Sequence, residues 1–210
     1  MDMSIETEKT VIREDIEWIS LRWHDEPNRT MPRVLLVGDS IVVGHGANVH
    51  ALLKDRICVD YFATSKHVTD VEFMPDLAFM LCRRNYELIL FNNGLHGFGV
   101  DDELYGPALL EILTLLSSRA PRLAWRSSTP VRNGDNRAEL GERTPRVVRR
   151  NAAAAAVAQK LCLPTLDLYT PMLGHPEFYS DGAHCNQEGV KFQAEIIAAF
   201  IDEQLARSKP

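Results

Sequence analysis

The sequence predicts an α/β protein: a three-layer α/β/α sandwich of the flavodoxin-like kind, with a parallel sheet of about five strands at its centre. Three observations predict it. Short apolar runs alternate along the chain with longer segments of helical periodicity, which is a βαβ rhythm. Runs such as Val34-Leu35-Leu36-Val37 are apolar at consecutive positions, as strands covered on both faces are. Polar residues capable of chemistry fall just after these runs, at the edge where doubly wound sheets bind their ligands.

Element by element, residues 8 to 23 carry Val11, Ile12, Ile16, Ile19 and Trp23 at helical spacing between charges, which predicts an amphipathic helix. With Trp18 and Trp23, it either covers the core or packs on a second copy in a homodimer. A strand is predicted at 33 to 38, a helix at 41 to 55, a strand at 57 to 63 and a helix at 69 to 84. Leu88-Ile89-Leu90-Phe91 reads as a strand, 101 to 119 as a helix and Arg122-Leu123-Ala124-Trp125 as a strand. A polar loop at 128 to 145 leads to an Ala-rich helix at 146 to 162, a strand at 165 to 168 and a last helix at 187 to 206. No repeat or linker divides the chain. The expectation is one domain over 1 to 210, with residues 1 to 30 a helical extension packed on it.

Composition narrows the function. The 210 residues are 45% hydrophobic and 25% charged, as in soluble globular domains. A net charge of -6 argues against nucleic acid or an anionic membrane as partner. The acidic start, Met1 to Lys9, lacks a secretory pattern, and no apolar stretch approaches the about 18 residues of a membrane span, so a cytoplasmic location is expected. Cys58, Cys82, Cys162 and Cys185 have no C-x-x-C spacing, and the first three lie in apolar segments, which predicts buried free thiols. His45, His50, His67, His96 and His175 form no His-x-x-x-His pair, and neither G-x-G-x-x-G nor G-K-[ST] occurs. No metal or cofactor is expected.

Ser40 ends Val37-Gly38-Asp39-Ser40, where a strand breaks at a glycine and a helix begins. Taken alone, this is what a helix cap requires. Near the other end of the chain stands Asp181-Gly182-Ala183-His184. One turn there can present acid and imidazole together, the carboxylate holding Nδ1 while Nε2 faces the serine. Serine, base and acid at one sheet edge are the parts of nucleophilic acyl transfer.

These segments resemble the SGNH or GDSL hydrolase family over residues 33 to 206. Gly38-Asp39-Ser40 is similar to its first block, with the nucleophile, and Asp181-Gly182-Ala183-His184 to its last, with acid and base. Phe91-Asn92-Asn93-Gly94-Leu95-His96-Gly97 resembles its third block, whose asparagine donates to the oxyanion. Two departures stand out. The second block has no glycine in Ala63-Thr64-Ser65-Lys66-His67, leaving a Lys66 backbone N–H to serve the oxyanion hole, and the third block has an altered order. The resemblance implies a hole of the Ser40 N–H, the Lys66 N–H and the Asn92 amide, with Asn93 the second choice and His96 the third.

Of the nine arginines from Arg119 to Arg150, most read as a solvated face. Arg126, at a strand end, and Arg132, in the 128 to 145 loop, are candidates for substrate contact, as is Asp39 beside the nucleophile. Arg150-Asn151 reads equally well as structural. The implied activity is a serine esterase removing a short acyl group, acetyl foremost, from a small molecule or oligosaccharide. The alternatives are a lysophospholipase or thioesterase with the same triad, an inert binding protein on the same fold, and a nucleotide-binding regulator suggested by the fold rhythm alone.

Overall fold

A computed structural model describes residues 12–207. Its sheet has six strands: β1 (Ile19–Arg22), β2 (Arg33–Gly38), β3 (Cys58–Thr64), β4 (Leu88–Phe91), β5 (Leu123–Arg126) and β6 (Thr165–Leu166). Their spatial order is β1-β3-β2-β4-β5-β6, parallel except for β1, which runs antiparallel along β3 with Ile19 opposite Thr64. The chain winds outward from β2 in both directions, so the topological switch lies at β2, where such folds place their sites.

Alternation along the central strands explains the layers. Val34 and Leu36 of β2 point into one core, and Leu35 and Val37 into the other. The first core is closed by α1 (Ser40–Leu53) and α6 (Gln187–Ala206). The second is closed by α2 (Phe73–Arg83), α3 (Asp102–Leu116) and α4 (Thr144–Lys160). A short helix α5 (Tyr169–Leu173) and a 3₁₀ turn at Pro176–Phe178 fill the approach to α6.

The predicted helix at 8 to 23 is corrected. Residues 8 to 11 lie outside the described residues, 12–18 are irregular, and Ile19–Arg22 is a strand. Apolar Ile19, Leu21 and Trp23 also fit a period of two, and β3 offers an unpaired edge whose backbone groups need partners. Tertiary pairing therefore overrides the helical spacing. The turn after β1 is fixed by a buried ion pair, Arg33 Nη1 to Asp60 Oδ1 at 2.7 Å, with the His24 N–H donating to the same oxygen at 2.9 Å. Burial pushes the Asp60 carboxyl up, against the opposing pull of the Arg33 guanidinium. All four cysteines are free, but only Cys58 is buried; Cys82 and Cys162 are exposed, on the outer face of α2 and just beyond α4.

Candidate active site

Ser40 is the first residue of α1, directly beyond β2. Asp39 caps the helix, Oδ1 accepting the Ile41 N–H at 3.0 Å, so Ser40 is not needed as a cap. The Ser40 N–H has no acceptor among the described residues and sits at the positive end of the helix dipole.

The 180–184 loop brings the other two groups to it. His184 Nε2 lies 2.8 Å from Ser40 Oγ, and His184 Nδ1 lies 2.8 Å from Asp181 Oδ2. Asp181 Oδ1 accepts the N–H groups of Ala183 and His184, each at 2.7 Å. Partial burial pushes the Asp181 carboxyl up, but those two amides and the imidazole outweigh it and hold it below its ordinary value. The acid is thus a carboxylate throughout the neutral range, as an imidazole-orienting group must be. The His184 and Asp181 side chains are about half exposed, at 51% and 56%, so this triad lies at an open surface.

Neighbouring elements hold the loop. Tyr179 and Cys185 form an antiparallel bridge at its base. The Arg132 N–H donates to Gly182 O at 2.6 Å, and a Cβ on Gly182 would lie 2.8 Å from Arg132 O, so only glycine permits this approach. The buried Arg132 guanidinium donates to Met172 O at 3.3 Å and Leu173 O at 2.5 Å, at the C-terminal end of α5. Arg132 therefore anchors the triad loop and does not reach toward substrate.

Arg126 and Asp39 are likewise corrected as substrate contacts. Arg126 is 2% exposed, packed under the nucleophile turn so that a Cβ on Gly38 would lie 3.5 Å from its Nη2; burial brings it down to about 10. Asp39 is 1% exposed. Both are buried beside the turn that carries Ser40.

The expected oxyanion donors fare unequally. The Lys66 N–H donates to Thr64 Oγ1 at 3.1 Å and the Ser65 N–H to Trp18 O at 3.2 Å, so neither of these amides is free for a substrate. The Lys66 side chain turns away to Glu72 and Asp76, at 2.7 Å each. Asn92 uses both hydrogens of its amide, on Arg126 O at 2.8 Å and Ser128 Oγ at 3.0 Å. Asn93 uses one, on Lys66 O at 2.9 Å, and keeps the other. Because β2 lies between β3 and β4, a bond from Asn93, after β4, to Lys66, after β3, crosses the end of β2 where Ser40 begins.

Arg150, 1% exposed, shapes this third loop by donating to Gly94 O at 3.3 Å, His96 O at 2.5 Å and Gly97 O at 2.9 Å. The glycines of the motif answer to sterics: Gly97 has φ +73° against the His67 ring, and a Cβ on Gly94 would meet Ser128 Oγ at 2.2 Å. Of the two roles open to Arg150 in the sequence, burial on these carbonyls favours the structural one. Its place about one turn into the predicted helix gives no cue that it faces the sheet edge.

Beside the site, Ile41, Leu95 and Val147 form a small apolar cluster with Val131 and Tyr169 packed against it. A cavity of about 250 Å³ opens farther along the edge between Trp125, Tyr169 and Val148, and none of the triad residues lines it. Among the described residues, no cluster of three His, Cys, Asp or Glu side chains is placed to hold a metal ion, and no helix is long and apolar enough to cross a membrane.

No protein-family model matches the sequence, and no curated protein matches it. Solved structures do resemble the fold. An acetyl xylan esterase superposes with a TM-score of 0.65 at 15% identity, covering 80% of this chain and 99% of its own. A member of the lipolytic protein G-D-S-L family from Veillonella parvula DSM 2008 gives 0.64 at 15% identity, with 81% and 98% covered. An acetylxylan esterase from Geobacillus stearothermophilus gives 0.63 at 12% identity, with 84% and 95% covered. By this likeness over most of its length, the chain has the fold of the SGNH/GDSL hydrolases.

Proposed function

We propose that the protein is a serine ester hydrolase that releases short acyl groups, acetyl foremost, from hydroxyl-rich compounds such as oligosaccharides. The observation that carries this is the continuous chain Ser40 Oγ, His184 imidazole, Asp181 carboxylate, with both links at 2.8 Å. Ser40 attacks the ester carbonyl as Nε2 takes its proton; Asp181 stabilises the imidazolium, which then protonates the departing alcohol. Water, deprotonated by the same nitrogen, releases the acyl group from Ser40.

In this reading the oxyanion is held by the Ser40 N–H and the unspent N–H of Asn93. The lack of a second-block glycine is then immaterial, because the hole in this reading does not use the Ser65 or Lys66 amide. The short-acyl preference is supported by the small size of the apolar cluster of Ile41, Leu95 and Val147 next to Ser40 and by the names of the acetyl xylan esterases that share the fold. A p-nitrophenyl ester series tests it. Acetate and butyrate are expected to exceed decanoate in kcat/KM by about tenfold or more, a methylene that a hydrophobic site cannot accommodate costing about 1–3 kcal/mol. A maximum at decanoate would favour the lysophospholipase or thioesterase reading instead.

A further inference from the structure

The segment 12–18 lies across the loops that follow β3 and β4 and is bound there mainly by charge. Arg13 reaches Asp70 at 3.1 Å and Glu72 at 2.8 Å, and the Trp18 N–H donates to Ser65 Oγ at 3.0 Å. Between these anchors, both carboxylate oxygens of Glu14 stand 3.0 Å from His96 Nδ1, and Oε1 also accepts the Gly97 N–H at 3.2 Å. His96 Nε2 has no partner among the described residues. The imidazole is 15% exposed and stands edge-on to Trp18, ring centres 6.0 Å apart.

Topology puts this pair on the rim of the site. The 92–97 loop leaves β4, crosses the end of β2 through the Asn93 bond to Lys66, and ends with His96 beside Trp18 at the start of β1. Ser40 stands at the end of β2. His184 comes to it on a loop tied to Arg132, which follows β5, so His96 and His184 approach from opposite flanks.

A simple latch would suffice to explain Glu14, but Arg13 and Trp18 already fasten the segment. What Glu14 adds is orientation of the ring. A carboxylate on Nδ1 selects the tautomer with its hydrogen there, so the neutral imidazole presents the Nε2 lone pair as an acceptor. An acceptor beside an aromatic edge suits the hydroxyl of a polyhydroxylated ring. Resting on the ester-hydrolase reading, we propose that Glu14 and His96 form a substrate-recognition pair, with His96 Nε2 accepting a hydrogen bond from a free hydroxyl of the ester substrate. Glu14 is a positioning residue, acting through His96.

The test compares a mono-acetylated methyl xyloside, which keeps free hydroxyls, with p-nitrophenyl acetate, which has none. His96→Phe keeps an aromatic ring against Trp18 without the acceptor. It is expected to lower the ratio of kcat/KM for the xyloside over the nitrophenyl ester about tenfold, chiefly through KM, as for one lost hydrogen bond. Glu14→Gln, whose amide oxygen still accepts from Nδ1, is expected to lower it less, about threefold. An unchanged ratio in His96→Phe, including equal losses on both substrates, would overturn the proposal and leave the pair a structural latch. NMR titration of the xyloside into Ser40→Ala and into Ser40→Ala with His96→Phe separates the two readings. Should the wild type hydrolyse neither ester, the hydrolase reading fails, while about tenfold weaker binding in the double variant would still support the recognition pair and equal binding would overturn it.

Discussion

Ser40→Ala is expected to cut hydrolysis of p-nitrophenyl acetate by at least about 10³-fold, through kcat, with little change in thermal stability. The stability half of this expectation comes from the cap. Asp39 caps α1 by accepting the Ile41 amide, and alanine is a good helix former, so the substitution removes a hydroxyl that the cap does not use. The kinetic half follows because the remaining groups would have only water to activate. Some acceleration over solution is expected to persist, since the Ser40 N–H and the Asn93 amide are untouched. A variant with near wild-type turnover would mean that the hydrogen-bonded triad is not the reacting group.

The second large effect separates two adjacent asparagines. Asn93→Ala is expected to lower kcat by about 10²- to 10³-fold, the usual cost of one oxyanion donor. Asn92→Ala is expected to act mainly on stability, costing about 1–3 kcal/mol, because it strips buried partners from Arg126 O and Ser128 Oγ. Turnover and melting temperature measured on both variants decide the matter. A large loss of kcat in Asn92→Ala at an unchanged melting temperature would reverse the assignment.

The adjacency shows what the chain discloses and what it withholds. Strand alternation sends neighbouring side chains to opposite faces, so the third-block motif puts the two asparagines on different sides of the chain without saying which keeps a free amide hydrogen. The choice depends on Ser128, 36 residues from Asn92, and on Lys66, 27 from Asn93. Local pattern carries no such partner. The hydrogen-bonded meeting of Ser40, His184 and Asp181 is legible because its parts are set by local geometry: a strand-to-helix turn for Ser40, and a single turn for Asp181 and His184. The central strands were legible for a similar reason, since burial on both faces writes unbroken apolar runs such as Leu88 to Phe91.

Where long-range pairing decides, the sequence misleads. Ile19, Leu21 and Trp23 fit two periods, and only the open edge of β3 selects the strand. Arg126 and Arg132 read as cleft residues because polar side chains at strand ends often are, yet both are buried, Arg132 on the carbonyls that end α5. Lys66 failed as a donor because the Thr64 hydroxyl, two residues earlier, takes its amide hydrogen.

The central claim is that Ser40 is a nucleophile activated by His184, and labelling with a fluorophosphonate tests it most directly. Intact-mass and peptide analysis should find one adduct per chain, on Ser40, with labelling strongly slowed in His184→Ala. No adduct under conditions that label a known serine hydrolase, or an adduct on another residue, would contradict it.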